Sequence, residues 1–415
     1  MVNPLLLPGP CLTKNFLHAS GAIFPLMYFR TMSKQQIHQH IAVFGQAGSG
    51  KTVLLSSLFG RLHEPSTIHK NGYRFLADDS ARGNKLLQKY LGMKEQAQAP
   101  MQDKFVSSPF GFKFVPESQP LDAKKKTSHI GITWHDYPGE WFESEVSSES
   151  ERNDRAHTFR QLIQSDVALV LVDAQKLLDH ESDEDRYLKS LFGTFRNTLL
   201  GIKSDIIADN ERLEQFPRIW VIALSKADLM PELDAHRLHE LVVLHAADEL
   251  NALRKVLADF VNGDEALSVG EDYIVISSAE FKNGTIDLEK HKGVDALLPL
   301  STILPIQRYQ RWNVLRLLPA GLANEKMVKR GLGIAQSAFA MLGKVNKMPF
   351  NFLAKAQGIA GLVDPLMSAA IPVIAEARKN AVEKHAFKEL LLTDFVMKLR
   401  ESIDNDILER SPRWK

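Results

Sequence analysis

The chain has 415 residues, of which 44% are hydrophobic and 24% charged, with a formal net charge of +1. That balance is globular and fits about two or three domains, or one large domain with an extension. Near-neutral charge excludes a global field drawing the protein to nucleic acid or an anionic membrane, and the single cysteine, Cys11, excludes intramolecular disulfides and cysteine-rich metal sites.

Residues 1–36 are expected to be a disordered leader or a mis-assigned start. Prolines interrupt their apolar stretches, and their basic residues do not precede an apolar core as a secretion signal requires. Met32-Ser33-Lys34 would be a natural start. No uncharged apolar run reaches the ~18 residues of a membrane-spanning helix. A reducing, cytoplasmic setting is expected.

Gly45-Gln46-Ala47-Gly48-Ser49-Gly50-Lys51-Thr52 has the G-x-x-x-x-G-K-[ST] spacing of a phosphate-binding loop. It follows the apolar run Ile41–Phe44 and precedes a helix-like segment, Val53–Phe59. That context separates a working loop from a chance match. Glycines let the backbone curl so that several N–H groups face one phosphate chain, and the helix N-terminus adds its positive dipole end. Lys51 can reach the β- and γ-phosphates, and the Thr52 hydroxyl can ligate Mg²⁺.

Further strands are predicted at Phe110–Val115, Ile130–His135, Val167–Val172, Ile219–Leu224 and Tyr273–Ile276. Near-continuous apolar runs predict strands covered on both faces, whereas the alternation of Phe110, Phe112 and Phe114 suits an edge or half-covered strand. Helices are predicted at Ala81–Leu91, after an N-cap at Ser182, and over His236–Phe260. Alternating strands and helices predict an α/β fold with a mostly parallel sheet, ligands binding at the carboxyl ends of the strands.

Motifs fall at those ends. Asp136-Tyr137-Pro138-Gly139 follows Ile130–His135: a carboxylate there can hold Mg²⁺ through a water, and the Gly139 N–H can contact a γ-phosphate. Taken alone it is equally a β-turn. Ser225-Lys226-Ala227-Asp228 follows Ile219–Leu224: Asp228 can accept from guanine's N1–H and N2 amine, a donor pair adenine lacks, with the Lys226 stem along the base. The alternative for this segment is a helix-capping turn. Ser277-Ser278-Ala279 follows Tyr273–Ile276, where a backbone N–H could support the base's O6.

Together the four motifs resemble, in order and placement, the translation-factor-related class of P-loop GTPases, which contains Ras-like and dynamin-like proteins. The chain is similar to a divergent, bacterial-type member with a helical C-terminal extension, the resemblance covering roughly residues 38–300. It implies a three-layer P-loop NTPase sandwich over residues 37–318, with a long switch insert at about 62–128, and an α-helical region over 319–415. It implies GTP/GDP and Mg²⁺ as ligands: Gly45, Gln46, Ala47, Gly48, Ser49, Gly50 and Lys51 for the phosphates, Thr52 and Asp136 for the metal. Ser225, Lys226, Asp228, Ser278 and Ala279 would hold the base, and Lys51, Gly139 and Glu140 would serve hydrolysis.

Two departures stand out. Where many members have a water-ordering glutamine after the D-x-x-G glycine, this chain has Glu140, which either handles the water or is a solvated switch residue. And 85 positions separate Lys51 from Asp136, leaving Thr67, Ser107, Ser108 and Thr127 as candidates for the metal-sensing switch residue. The tract Lys124–Lys126 lacks interleaved aromatics and predicts a solvated hairpin tip rather than a nucleic-acid site. Trp141 and Phe142 either form a partner-binding patch or pack under their loop. His236, His239 and His245 share a predicted helix without a matching cysteine or acidic cluster, so no transition-metal site is read.

The region beyond 320 shows no convincing strand. Its helices either pack on the core, or form an effector or oligomerisation surface, or lie on a membrane, the small-residue character favouring helix packing over the last. The expected activity is GTP hydrolysis to GDP and phosphate as a nucleotide-controlled switch. An ATPase of another P-loop class and a non-hydrolysing scaffold are the alternatives.

Overall fold

Val167–Asp173 and Ile219–Ser225 are buried at every position in the computed structural model, because each strand is covered on both faces. The structure describes residues 37–97, 100, 109–118, 130–136, 139–142, 148–163, 165–207, 212–213, 219–261, 267–282, 285–317 and 384–410. They belong to one compact unit.

The strands are β1 (Ile37–Phe44), β2 (Tyr73–Ala77), β3 (Phe110–Pro116), β4 (Ile130–His135), β5 (Val167–Asp173), β6 (Ile219–Ser225), β7 (Ser268–Val275), β8 (Glu280–Lys282), β9 (Thr285–Asp287) and β10 (Leu408–Glu409). The helices are α1 (Lys51–His63), α2 (Pro65–Asn71), α3 (Ser80–Gln96), α4 (Glu149–Ile163), α5 (Ala174–Asp179), α6 (Glu184–Ile206), α7 (Ala235–Ala258), α8 (Leu297–Leu317) and α9 (Lys384–Asp404).

The main sheet runs β10-β7-β6-β5-β1-β4-β3-β2, and β8 and β9 form a separate hairpin. From β4 through β7 the pairing is parallel; β2, β3 and β10 pair antiparallel. On one face Ala42 and Phe44 pack with residues of α4, α6 and α7. Ile41 and Val43, pointing the other way along β1, are buried in the layer where α8 lies. This is the three-layer α/β sandwich of a P-loop NTPase. Because β1 sits between β4 and β5, the chain leaves it in both directions, and the crevice at its carboxyl end is the expected ligand site.

Several sequence expectations change. Of the two readings of β3, the edge strand falls, since β2 pairs with it and the Phe75 and Phe112 rings stack 4.8 Å apart, and the half-covered strand stands: Phe112 and Phe114 are buried while Gly111 and Lys113 are half-exposed. The helix in the insert runs over Ser80–Gln96, longer than Ala81–Leu91 chiefly at its C-terminal end, and the Asp79 carboxylate caps its start by accepting from Ala81 N and Arg82 N. Ser182 is not the cap of α6. Its φ is 72°, and Asp183 N closes a turn on His180 O, so Asp183 takes that position. α7 kinks at Ala246.

Beyond residue 320 there is a strand after all. Leu408 and Glu409 pair with Ile274 and Tyr273 of β7, bringing the end of the chain onto the sheet. α9 packs in the same unit: Phe395 is fully buried and meets Phe114 edge-on at 5.4 Å. Residues 1–36 and most of 319–415 lie outside the described residues, as do Ser107, Ser108, Lys124–Lys126 and Thr127. Thr67, the remaining switch candidate, sits within α2. Among the described residues, no helix is long and apolar enough to cross a membrane.

Candidate functional site

The turn between β1 and α1 is shaped by two left-handed glycines. Gly48 has φ 77° and Gly50 has φ 87°, a region open to glycine at no steric cost. Gly50 is the N-cap of α1, and no acidic side chain occupies the first turn, so the positive end of the helix is left for an anion. Lys51 curls back over the loop, its Nζ donating to Gly45 O at 2.7 Å and Gln46 O at 3.2 Å. Gln46 is tethered in turn, its Oε1 accepting from Lys176 Nζ at 2.9 Å.

Gly48, Ser49, Gly50, Lys51 and Thr52 line a cavity of about 530 Å³, and Asp136 and Gly139 line it with them. Asp136 follows β4, and beside it burial, with the neighbouring His40 and His38 imidazoles, holds His135 down at about 4. Gly139 opens a 3₁₀ turn that runs to Phe142. It touches the phosphate loop so closely that a Cβ would lie 2.5 Å from Ala47 N and 2.6 Å from Gln46 C. Backbone on both sides cannot step aside. Gly139→Ala is therefore expected to cost about 1–3 kcal/mol of stability, read as a lowered urea midpoint; an unchanged midpoint would show that the two segments separate freely. The side chains of Glu140 and Phe142 lie outside the described residues. Trp141 packs against the core, with the Arg155 guanidinium 5.7 Å from its ring centroid.

The other end of the cavity is formed after β6 and β7. Lys226 takes a left-handed φ of 56°, and its Nζ pairs at 2.7 Å with Asp173, buried at the end of β5. Asp173 also caps α5 by accepting from Gln175 N. This carboxylate was not singled out from sequence, although its place after an all-apolar strand was the available signal. Asp228 is held by Phe281 N at 3.2 Å and the Ser277 hydroxyl at 2.7 Å. Each carboxylate oxygen keeps a second lone pair. Ser225 ties β6 to β5 through Val172 O at 3.2 Å and lines the cavity, as do Ser278 and Phe281. The Ala279 side chain packs in an apolar cluster with Tyr90, Met93 and Leu288.

The helix expected in the insert supplies a wall of the cavity, a placement the sequence does not reveal. α3 lies against α1 and presents Arg82, Lys85, Leu86 and Lys89 to the cavity. The spacing of the three cations, at i, i+3 and i+7, puts them on one helix face. Arg82 is positioned by Phe110, whose ring centroid is 3.8 Å from the guanidinium carbon, and by Pro109 O at 2.6 Å. Phe110 pairs with Trp134 of β4, two residues before Asp136, so Arg82 stands on the Asp136 side of the site. Burial lowers its pKa, with Asp79 opposing that shift.

A phosphate loop at the end of β1, an acidic β4 terminus and an aspartate after β6, converging on one cavity of this sheet, define a P-loop GTP-binding protein. The Double-GTPase 2 family model matches residues 39–271, and the chain belongs to that family. No curated protein sequence matches it. Similar solved structures include the S. cerevisiae Ski7 GTPase-like domain bound to GTP, at 18% identity, over 61% of this chain and 45% of that one, with a TM-score of 0.28. The same domain bound to GDP and inorganic phosphate aligns at 15% identity over 72% and 54%, TM-score 0.27. A bacterial dynamin aligns at 14% identity over 93% of this chain and 62% of that one, TM-score 0.24. The chain spans about half the length of the Ski7 chains it matches.

Proposed function

We propose that this protein is a nucleotide-controlled switch that hydrolyses GTP to GDP and phosphate with Mg²⁺. The observation that carries the reading is that Gly48–Thr52, Asp136, Gly139, Lys226 and Asp228 line one shared cavity. In this reading the loop N–H groups and Lys51 hold the phosphates, and Lys226 with Asp228 holds guanine, supported by Ser225 and the Ser278–Ala279 backbone. Thr52 and Asp136 would hold Mg²⁺; their hard oxygen donors, facing one cavity, suit that ion. The ion would neutralise charge on the phosphates. Gly139 would offer its N–H to the γ-phosphate, and Glu140, the next residue in sequence, is the candidate to handle the attacking water. A protein partner reading the switch segments or the C-terminal helices completes the switch, in a cytoplasmic setting and without nucleic acid.

Arg82 favours intrinsic hydrolysis over a non-hydrolysing scaffold, because it brings a cation to the Asp136 side of the cavity. Its charge would stabilise the transferring phosphoryl group without help from a second protein. Single-turnover hydrolysis of labelled GTP by the purified chain tests this. Arg82→Ala is expected to slow that turnover on the order of 10²-fold while GDP affinity stays within twofold or so. Equal rates in both proteins would remove Arg82 from the reaction, and no turnover in either would favour the scaffold. Competition of GTP against ATP separates the reading from an ATPase.

A further inference from the structure

We propose that His236, His239 and Glu409 form a site for a divalent transition-metal ion, Zn²⁺ foremost, which clamps the C-terminal strand to α7. The two histidines lie one turn apart at the start of α7, where Asp234 caps the helix by accepting from Arg237 N at 2.8 Å. Read along the chain they lack a matching cysteine or acidic cluster. The fold supplies one from 170 residues away: β10 pairs with β7 so that Glu409 stands opposite Tyr273. Opposed residues of paired strands project to the same side. The Tyr273 ring is in turn stacked on His239, centroids 4.5 Å apart and 23° between planes. Strand register and ring stacking together set the carboxylate against the imidazoles.

The donor geometry is that of a ligand set. His236 Nδ1 is 3.3 Å from Glu409 Oε2, and His239 Nδ1 is 3.1 Å from Glu409 Oε1. Two ligand atoms on a tetrahedral Zn²⁺, at bonds of about 2.0–2.2 Å, stand roughly 3.4 Å apart. All three ligand atoms lie within 4.8 Å of one another. The far nitrogen of His236, Nε2, is 3.5 Å from Glu240 Oε1 one turn on. A carboxylate behind an imidazole fixes its tautomer and turns the other nitrogen's lone pair inward. Two imidazoles and a carboxylate suit Zn²⁺, Cu²⁺ or Ni²⁺ and disfavour Mg²⁺ and Ca²⁺, which take oxygen. The His236 side chain is 64% exposed, which leaves an entry path and room for a water as fourth ligand.

The consequence is mechanical. β10 is two residues long and holds the sheet edge by few hydrogen bonds, while Asp406 O, just before it, accepts from Ala235 N at the head of α7. A metal bridging α7 and β10 would lock that junction.

The test uses the untagged full chain, nucleotide-free, in excess Mg²⁺. Equilibrium dialysis against Zn²⁺ is expected to show one saturable equivalent, and Co²⁺ to give the visible bands of a four-coordinate ion. Glu409→Gln, which keeps the size of the side chain, and His239→Gln should each abolish both signals, and Glu240→Gln should weaken Zn²⁺ about tenfold. Wild-type uptake no greater than that of Glu409→Gln, or a Co²⁺ spectrum unchanged in both ligand variants, would overturn the site. Neither readout depends on GTP binding.

Discussion

Lys51→Ala is expected to abolish measurable guanine nucleotide binding. The ammonium is buried and held over the loop by the Gly45 and Gln46 carbonyls, and Lys51 lines the cavity together with Gly48, Ser49, Gly50 and Thr52. Removing a cation that a buried anion depends on costs about 3–5 kcal/mol, on the order of 10²–10⁴ in affinity. The loop itself should survive, because its shape is set by Gly48 and Gly50 and by the Ser49 N to Gln46 O turn. Titration with labelled GTP and GDP measures the loss, with the urea midpoint as control. Binding that persists within tenfold or so would mean that the phosphates lie elsewhere.

Asp228→Asn is expected to exchange guanine for xanthine. The carboxylate is oriented by Phe281 N and the Ser277 hydroxyl, which leaves lone pairs to accept from guanine's N1–H and N2 amine. An asparagine amide turns one acceptor into a donor facing those donors. The loss for GTP should be about 3 kcal/mol, roughly 10²-fold. Xanthine carries a carbonyl where guanine carries the amine, so XTP should gain while GTP loses. The protein should tolerate the change: the asparagine oxygen can still accept from Phe281 N, and the Ser277 hydroxyl can reverse its role. Competition of XTP and GTP against one labelled nucleotide reads the exchange. If neither affinity moves, Asp228 does not contact the base.

The legible part of this protein was local. Gly45–Thr52 declares itself because positive φ needs glycine and because strand, loop and helix are contiguous in sequence. β5 and β6 declare themselves because burial on both faces forces unbroken apolar runs. β2 escaped because Tyr73–Ala77 is short and its partner, β3, arrives after an intervening helix. The cap of α6 moved by one residue because a left-handed Ser182 is a turn property, not a compositional one.

By its sequence alone this chain determined the phosphate loop, the strand-end aspartates and the parallel sheet they require, since each rests on spacing along one stretch of backbone. Tertiary structure decided what long-range contacts create. It brought Arg82, Lys85 and Lys89 of the insert to the wall of the cavity, paired Lys226 with the buried Asp173, and pressed Gly139 against Ala47. It also returned the end of the chain to the sheet, setting Glu409 before two histidines whose own helix offers no matching acidic cluster. The reason is physical: side chains far apart in sequence meet only when burial of the apolar layers fixes helix and strand positions, and no local pattern records which ones will meet.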